Sequence, residues 1–260
     1  MSTRPSTRLQ DRTALVTGST SNIGRAVARR LAAEGAHVIV SGRDAARGAA
    51  VVDEIRRAGG RADLVRADLD GSPQASARLA AEALDVLGGR LGVLVNNAGI
   101  FPAAPTLETD ETTFDRVYGV NVKAPFFLVQ AVAPVMIAAG GGTIVNLGSW
   151  VARLGVSSGP LYASTKGALE TLTRGWSAEL SGRGIRVNAV APGVVGEPAT
   201  PGGEVLGGAL MTGTPAGRPG HPDEIAAAVA FLASDDAGFV HGTVLDVDGG
   251  RQGVAVVAAS

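Results

Sequence analysis

Short apolar runs alternate with longer helical patterns along this chain, and this alternation constrains its fold more than any other feature. Apolar runs begin at residues 13, 37 and 63, and each is followed by a segment with apolar residues at helical spacing. Strand–helix–strand repeats of this kind require parallel strands joined by right-handed crossovers. Helices then cover both faces of the sheet, so its strands are apolar throughout, as in Ala14-Leu15-Val16. The pattern predicts an α/β fold with a doubly wound parallel β-sheet flanked by helices.

The same pattern continues to the C-terminal region and shows no linker at which the chain would divide. We predict strands at 13–17, 37–41, 63–67, 91–95, 143–147, 185–190 and 243–247, and helices at 23–34, 44–58, 73–87, 111–117, 124–139, 161–180 and 222–233. The whole chain, 1–260, is therefore expected to be a single domain. One stretch rich in Gly and Pro, residues 193–219, interrupts the pattern and is predicted to be a flexible loop over the substrate.

Charge and composition exclude several classes of function. The 23 Lys and Arg residues nearly balance 24 Asp and Glu, so no nucleic-acid partner is expected. The absence of Cys excludes a thiolate nucleophile, and three scattered His residues make a metal site a poor hypothesis. We find no apolar run near the roughly 20 residues that cross a bilayer. The polar N-terminal segment lacks the apolar stretch of a secretory signal, so we expect a cytoplasmic protein without a membrane partner.

A glycine-rich turn after the first strand is a candidate phosphate site. It leaves the strand at Gly18 and enters a helix at Gly24, a geometry in which backbone N–H groups and the helix dipole favour an anion. Thr20, Asn22 and Ile23 lie within this turn. The spacing differs from G-x-G-x-x-G, and an ordinary βα turn is the alternative interpretation.

Arg43 follows the second strand, at the position that determines the preference for NAD or NADP in dinucleotide-binding folds. An acid at this strand end holds the ribose hydroxyl of NAD, whereas an Arg accommodates the extra phosphate of NADP. The acidic position is occupied by Gly42, which favours NADP(H), although Asp44 stands next to Arg43. A solvated loop Arg is the alternative.

The third and fourth strands also end in candidate cofactor residues. Asp68, next to Leu69, either accepts from an adenine amino group or caps the following helix. The fourth strand ends in Asn97-Ala98-Gly99, where small residues let a ligand approach the sheet edge.

Tyr162 and Lys166 form the most informative pair in the sequence. They are four residues apart, which places them on one face of a helix. The chain has only two Tyr and two Lys, so a chance pair at this spacing has a probability of about 1.5%. A nearby ammonium, together with the positive ring of an oxidised nicotinamide, is expected to lower the phenol pKa from ~10. Tyr162 would then exchange a proton with an alcohol or alkoxide.

These motifs, in this order over about residues 10–250, resemble the short-chain dehydrogenase/reductase family. The resemblance implies a three-layer Rossmann fold, with Tyr162 as acid/base and Lys166 lowering its pKa and binding the nicotinamide ribose. It further implies that Ser149, thirteen residues before Tyr162, orients the carbonyl, and that Asn121 completes a proton relay. Besides the residues above, it assigns to the cofactor site Pro192, Gly193 and Val195.

Two positions depart from the family pattern, and both lie at the cofactor. Asn22 replaces the middle glycine of the family's T-G-x-x-x-G-x-G turn, and Asn is the residue next most able to adopt a left-handed conformation. Glu197 replaces a Thr that follows Pro192 and contacts the carboxamide in the family.

The resemblance implies a reversible carbonyl/alcohol oxidoreductase, which we interpret as a ketone or 3-oxoacyl reductase using NADPH. An NAD-dependent sugar or polyol dehydrogenase, a dinucleotide-sensing scaffold without chemistry, and an epimerase or dehydratase are the alternatives. The expected pocket segments, 100–105, 150–158 and 193–213, are mostly apolar, with Arg153 and Glu197 as charged options. Helices 124–139 and 161–180 are apolar over much of their surface, and the resemblance implies a homotetramer built on them.

Overall fold

A seven-stranded parallel sheet forms the centre of the protein, with strands in the order β3-β2-β1-β4-β5-β6-β7. The computed structural model describes residues 7–102, 105–157, 159–196 and 205–255. The strands are β1 (Thr13–Val16), β2 (His37–Gly42), β3 (Arg61–Arg66), β4 (Val93–Asn96), β5 (Gly142–Leu147), β6 (Ile185–Pro192) and β7 (Val244–Val247). The strand order reverses between β1 and β4, which confirms the predicted doubly wound sheet and places a ligand crevice at that point.

Helices cover both faces of the sheet, and the strand side chains alternate between them. The helices are α1 (Asn22–Ala33), α2 (Ala45–Arg57), α3 (Pro73–Val86), α4 (Glu111–Tyr118), α5 (Ala124–Ala138), α6 (Pro160–Leu180) and α7 (Pro222–Ala233). Val16 packs in the core with α1, α2 and α7, whereas Leu15 packs in the second core with α3, α5 and α6. The central strands β1, β4, β5 and β6 are therefore buried on both sides, as their apolar sequences predict, whereas β3 and β7 at the sheet edges are only partly buried.

Residues 111–139, expected as two helices, form one continuous helical segment. A π-helical turn, Gly119–Lys123, joins α4 directly to α5. Such a turn adds a residue to the helical repeat and shifts the side chains that follow. In the described part of the chain the segment Glu111–Ala138 is the one helix long and apolar enough to cross a membrane, a feature that the sequence search missed. A core helix passes the same test, and α5 buries Leu128 and Met136.

The end of β6 and the segment after it shape the entrance to the crevice. β6 runs two residues further than predicted because it pairs with β7 as far as Pro192 opposite Val247. Of the predicted loop 193–219, the described part forms a bridge between Val195 and Gly220 and a 3-10 turn at Gly208–Met211. Glu197 lies outside the described residues. The flexibility of this loop and the single-domain organisation stay predictions.

Candidate active site

The carboxyl ends of the central strands open into one cavity of about 990 Å³. Every residue predicted for the catalytic and cofactor sites lines this cavity except Asn121, which lies behind its wall. The tertiary structure thus brings together residues that are spread from Gly18 to Val195 in sequence. No group of three acidic or histidine side chains that would suit a metal ion occurs in the ranges the structure describes.

The glycine-rich turn keeps its shape although Asn22 replaces a glycine. Gly18 has φ +63° and Asn22 has φ +46°, so the asparagine adopts the left-handed conformation. A Cβ atom at Gly24 would overlap the Gly18 carbonyl oxygen and lie 2.5 Å from Asn97 Nδ2. Ser21 precedes α1 without a capping hydrogen bond from its side chain, and the uncapped first turn of the helix lines the cavity.

Asn97 and Thr17 hold this turn against the end of β4. Asn97 Nδ2 donates to the carbonyl oxygens of Thr17, at 2.8 Å, and Gly18, at 3.0 Å. The Thr17 hydroxyl accepts from the backbone N–H groups of Asn97 and Ala98, both at 3.0 Å. Thr17 was not among the predicted site residues, although its position directly before Gly18 is a signal that the sequence contains.

The end of β2 carries no acidic side chain, is crowded at Gly42 by Thr20, and is followed by an exposed arginine. A Cβ atom at Gly42 would lie 2.7 Å from Thr20 Cγ2. Asp44 caps α2 by accepting from Arg47 N at 2.9 Å and from Arg47 Nε at 2.8 Å, so its carboxylate is already engaged. Arg43 Nε lies 3.8 Å from Asp68 Oδ1, and both side chains are largely exposed.

Ser149, Tyr162 and Lys166 come together from two elements at the other end of the cavity. Ser149 follows β5, and α6 begins at Pro160, after a left-handed Gly159. Tyr162 and Lys166 lie on the same face of that helix, with Lys166 Nζ 5.6 Å from the centre of the Tyr162 ring. The ammonium donates to the Leu147 carbonyl oxygen at 2.7 Å, and only 4% of the lysine is exposed.

Burial dominates the ionisation of this pair and works against both charged forms. It raises the pKa of Tyr162 to about 12, opposed by a weaker hydrogen bond with the Ser149 side chain. It also lowers the pKa of Lys166 to about 8. Without a bound cofactor the pKa of Tyr162 is therefore raised, because burial disfavours the phenolate; the lowered pKa predicted beside both an ammonium and an oxidised nicotinamide stays a prediction.

Asn121 lies outside the cavity lining, and its side-chain amide hydrogen-bonds residues that are adjacent to the cavity. Its Oδ1 accepts from Ile100 N at 2.8 Å, and its Nδ2 donates to Ile100 O at 3.0 Å and to Thr165 Oγ1 at 3.1 Å. The Thr165 hydroxyl in turn donates to the Tyr162 carbonyl oxygen at 2.7 Å. The π-helical turn places Asn121 in this position, and Thr165 is a contributor that the sequence analysis missed.

Pro192 and Gly193 close the cavity from the β6 side. Gly193 N donates to Val247 O at 3.0 Å, and a Cβ atom at Gly193 would lie 2.8 Å from Asp248 Cα. Residue 193 therefore has to be glycine for the chain to pass this closely beside the segment after β7.

The substrate side differs in part from the expected apolar pocket. Phe101 is 58% exposed, with its ring 4.7 Å from that of Tyr162, and it lines the cavity as expected. Trp150 and Met211 are instead buried. Arg153, expected as a charged pocket residue, does not line the cavity, because its guanidinium pairs with Glu170 and Asp246.

Comparison with known proteins places the chain among oxidoreductases. A family profile described as enoyl-(acyl carrier protein) reductase matches residues 18–252. Three similar proteins each align with 94% of this chain. They are galactitol 2-dehydrogenase (L-tagatose-forming) from Cereibacter sphaeroides (41% identity, 96% of its length), 3-oxoacyl-[acyl-carrier-protein] reductase FabG from Thermotoga maritima (37%, 98%) and cyclopentanol dehydrogenase from a Comamonas species (37%, 98%).

Solved structures agree with this placement. A short chain dehydrogenase/reductase family protein matches with a TM-score of 0.85 and 45% identity, over 95% of this chain and 100% of that one. A blue fluorescent protein from a metagenomic library, solved with NADPH, matches with a TM-score of 0.86 and 38% identity, over 94% and 99%.

The fold and cavity define a Rossmann-fold nucleotide-binding protein. The chain belongs to the short-chain dehydrogenase/reductase family. It is an oxidoreductase that acts on CH–OH groups with a nicotinamide dinucleotide as its cofactor. This disfavours the hypotheses of a dinucleotide sensor without chemistry and of an epimerase or dehydratase.

Proposed function

We propose that the protein interconverts a ketone and a secondary alcohol by reversible hydride transfer, with Tyr162 as the general acid and base. The observation that carries this proposal is the convergence of Ser149, Tyr162 and Lys166 at one end of the cavity whose other end is the glycine-rich turn. The nicotinamide ring, when bound, supplies or accepts the hydride. The protein supplies orientation and the proton.

The residues of the turn suit a dinucleotide. A Cβ atom at Gly24 would collide with the Gly18 carbonyl oxygen and Asn97, so the tight turn requires glycine there, and the start of α1 offers backbone donors to a pyrophosphate. We assign the cofactor to the predicted residues, with the Lys166 ammonium beside the nicotinamide ribose. Gly99 borders this position, since a Cβ atom there would lie 3.7 Å from Lys166 Nζ.

Tyr162 and Ser149 act on the substrate oxygen. With a pKa raised to about 12, the phenol is protonated at neutral pH and donates its proton as the carbonyl oxygen becomes an alkoxide. The Ser149 hydroxyl stabilises that oxygen by a hydrogen bond. In the reverse direction the phenol must first lose its proton, so alcohol oxidation is expected to accelerate as the pH rises. Asn121 positions this machinery through Ile100 and Thr165 and would complete the proton relay.

NADP(H) is the proposed cofactor in preference to NAD(H). Arg43 is exposed at the end of β2 and presents a planar fork for a phosphate. An acid that would hold the NAD ribose is absent at Gly42, and the nearby Asp44 is engaged as a helix cap. The related structure solved with NADPH is consistent with this preference.

A ketone or a 3-oxoacyl thioester is the proposed substrate. The exposed ring of Phe101 stands beside the Tyr162 ring, where an apolar substituent would cover it. The similar proteins include a cyclopentanol dehydrogenase and a 3-oxoacyl reductase, which act on such compounds by name. The galactitol dehydrogenase keeps an NAD-dependent sugar or polyol dehydrogenase as the second candidate.

A homotetramer and a cytoplasmic location complete the proposal. Phe126 on α5 is 40% exposed, and its ring centroid lies 5.9 Å from that of the buried Trp176 on α6, so an exposed aromatic ring stands where the two long helices meet and a second subunit would cover it. Sedimentation of the purified protein tests the assembly.

The reaction is tested by turnover of NADPH and NADH against acyl thioesters, simple ketones and sugars, followed at the absorbance of the reduced nicotinamide. We expect the highest kcat/KM with NADPH and an apolar ketone or 3-oxoacyl thioester. Exclusive activity with NADH and sugars would establish the second candidate. Absence of turnover with every pair would refute the proposed reaction.

A further inference from the structure

We infer that Arg153, clamped between Glu170 and Asp246, is a positioning residue that fixes Ser149 against the Tyr162 helix. This inference rests on the proposed function, because it assumes that Ser149 acts on the substrate oxygen. The three side chains come from three elements: the turn after β5, helix α6 and strand β7. None of the three lines the cavity.

Arg153 belongs to the same short turn as Ser149. The 3-10 turn Trp150–Ala152 begins at Ser149, whose hydroxyl accepts from Val151 N at 3.4 Å. Arg153 N donates to the Trp150 carbonyl oxygen at 3.3 Å, which closes the turn. A shift of the Arg153 backbone is therefore transmitted to Ser149.

Two carboxylates hold the guanidinium of Arg153. Its Nη1 and Nη2 form a bidentate pair with Asp246 of β7, and its Nε lies 3.4 Å from Glu170 Oε2. A planar fork can satisfy both partners at once, whereas a lysine ammonium has neither the reach nor the shape.

Glu170 connects this clamp to the catalytic helix. It follows Lys166 by one helical turn and Tyr162 by two, so all three lie along one face of α6. Its side chain is 4% exposed, and burial raises the pKa of its carboxyl group. Its Oε1 has no hydrogen-bond partner among the described residues and lies against Gly148, the residue between Leu147 and Ser149. A buried carboxylate is costly, so its placement here fits a role in setting the geometry between the helix and the turn.

The Arg153→Lys variant tests the inference, because it keeps the charge and removes the fork. We expect kcat for the preferred substrate to fall by about 10-fold, while the KM for NADPH changes less than about 2-fold, since the glycine-rich turn is untouched. The Asp246 side chain is one-third exposed, and the Asp246→Asn variant weakens the same clamp. It should also lower kcat.

A double-mutant cycle separates positioning from general stability. In a Ser149→Ala background, Arg153→Lys should change kcat by less than about 2-fold, because the hydroxyl that it positions is already gone. The Arg8→Lys variant is the control: Arg8 also pairs with a buried carboxylate, Glu34, but far from the cavity. It should leave kcat unchanged in both backgrounds.

The outcomes distinguish the two proposals. Equal losses from Arg153→Lys with and without Ser149, or an unchanged kcat in both single variants of the clamp, would overturn the positioning role. An unchanged kcat in Ser149→Ala alone would instead contradict the proposed function. Thermal unfolding of each variant establishes that the compared proteins are folded.

Discussion

The two ends of the cavity differ in which part of the polypeptide gives them their shape. At the phosphate end the shape comes mainly from the backbone: left-handed residues at Gly18 and Asn22, a close approach at Gly24, and main-chain carbonyls held by the Asn97 side-chain amide. At the chemical end it comes from polar side chains, with Tyr162 half-buried and Lys166 only 4% exposed. Steric fit decides which side chains the phosphate end accommodates, whereas the free-energy cost of desolvating charged groups governs the chemical end.

This difference indicates at which end of the cavity the functional residues lower the stability of the fold. A backbone cradle places no charge in the interior, so it carries little electrostatic cost. The ammonium of Lys166 is buried beside a carbonyl oxygen and has no carboxylate partner within hydrogen-bonding distance in the described residues. We therefore expect substitutions at the phosphate end to weaken cofactor binding. At the chemical end we expect substitutions to lower turnover while they raise the stability of the fold.

The sharpest test of the chemical end is Tyr162→Phe. Loss of the hydroxyl removes the proton donor, so kcat should fall by at least about 100-fold while the dinucleotide still binds. Stopped-flow turnover and fluorescence titration with NADPH measure the two effects. Tyr118→Phe, at the other tyrosine, is the matched control and should retain most activity. Near-wild-type turnover by Tyr162→Phe would remove this residue from the mechanism.

At the phosphate end, Gly24→Ala should weaken NADPH binding by about 100-fold, because the added methyl group collides with Gly18 and Asn97 and forces the turn to move. Titration of the folded variant measures the dissociation constant. Gly175→Ala, where nothing lies within 4 Å of the new Cβ atom, is the control that leaves binding intact. Unchanged binding in Gly24→Ala would show that the turn does not hold the cofactor.

Lys166→Met should abolish turnover and yet stabilise the protein by about 1–3 kcal/mol at pH 7, since it removes a buried charge. The pKa of Lys166 falls from 10.5 to about 8 on folding, so the penalty is complete below pH 8 and disappears as the pH rises towards 10.5. Urea unfolding at pH 7 and pH 9.5 should show the variant's advantage shrinking. A variant less stable than the wild type at both values would contradict this account.

Arg43→Leu tests the cofactor preference at the adenosine end. Without the guanidinium, the KM for NADPH should rise by about 10-fold while that for NADH stays within about 2-fold. Arg61→Leu, an exposed arginine away from the cavity, is the control. Equal changes for both cofactors would show that Arg43 does not contact the extra phosphate.

The smallest expected effect is at Asn22. Asn22→Gly removes a side chain from a left-handed position and should raise the free energy of unfolding by about 0.5–1 kcal/mol, with NADPH binding retained. Asp11→Gly provides a comparison at the other described non-glycine residue with positive φ. A loss of binding in Asn22→Gly would show that the amide itself contacts the cofactor.

Sequence patterns predicted the fold well because both of its main features are local. The strands of a covered parallel sheet are apolar throughout, and helices have their own period, so β1 and α1 are recognisable without the tertiary structure. The predictions were wrong where a contact between distant segments determines where an element ends. β6 extends to Pro192 because β7 pairs with it, and α4 continues into α5 through a π-helical turn.

For the site, the residue pattern alone determined the chemistry available: a tyrosine and a lysine one helical turn apart, a glycine-rich turn, and an arginine where an acid would bind NAD. Only the tertiary structure decided how these groups behave. It half-buried Tyr162 and buried Lys166, so that burial raises the pKa of the phenol in the absence of cofactor, and it took Arg153 out of the pocket by pairing it with Glu170 and Asp246. The physical reason is that desolvation and ion pairing depend on what surrounds a group in space, which the local sequence does not contain.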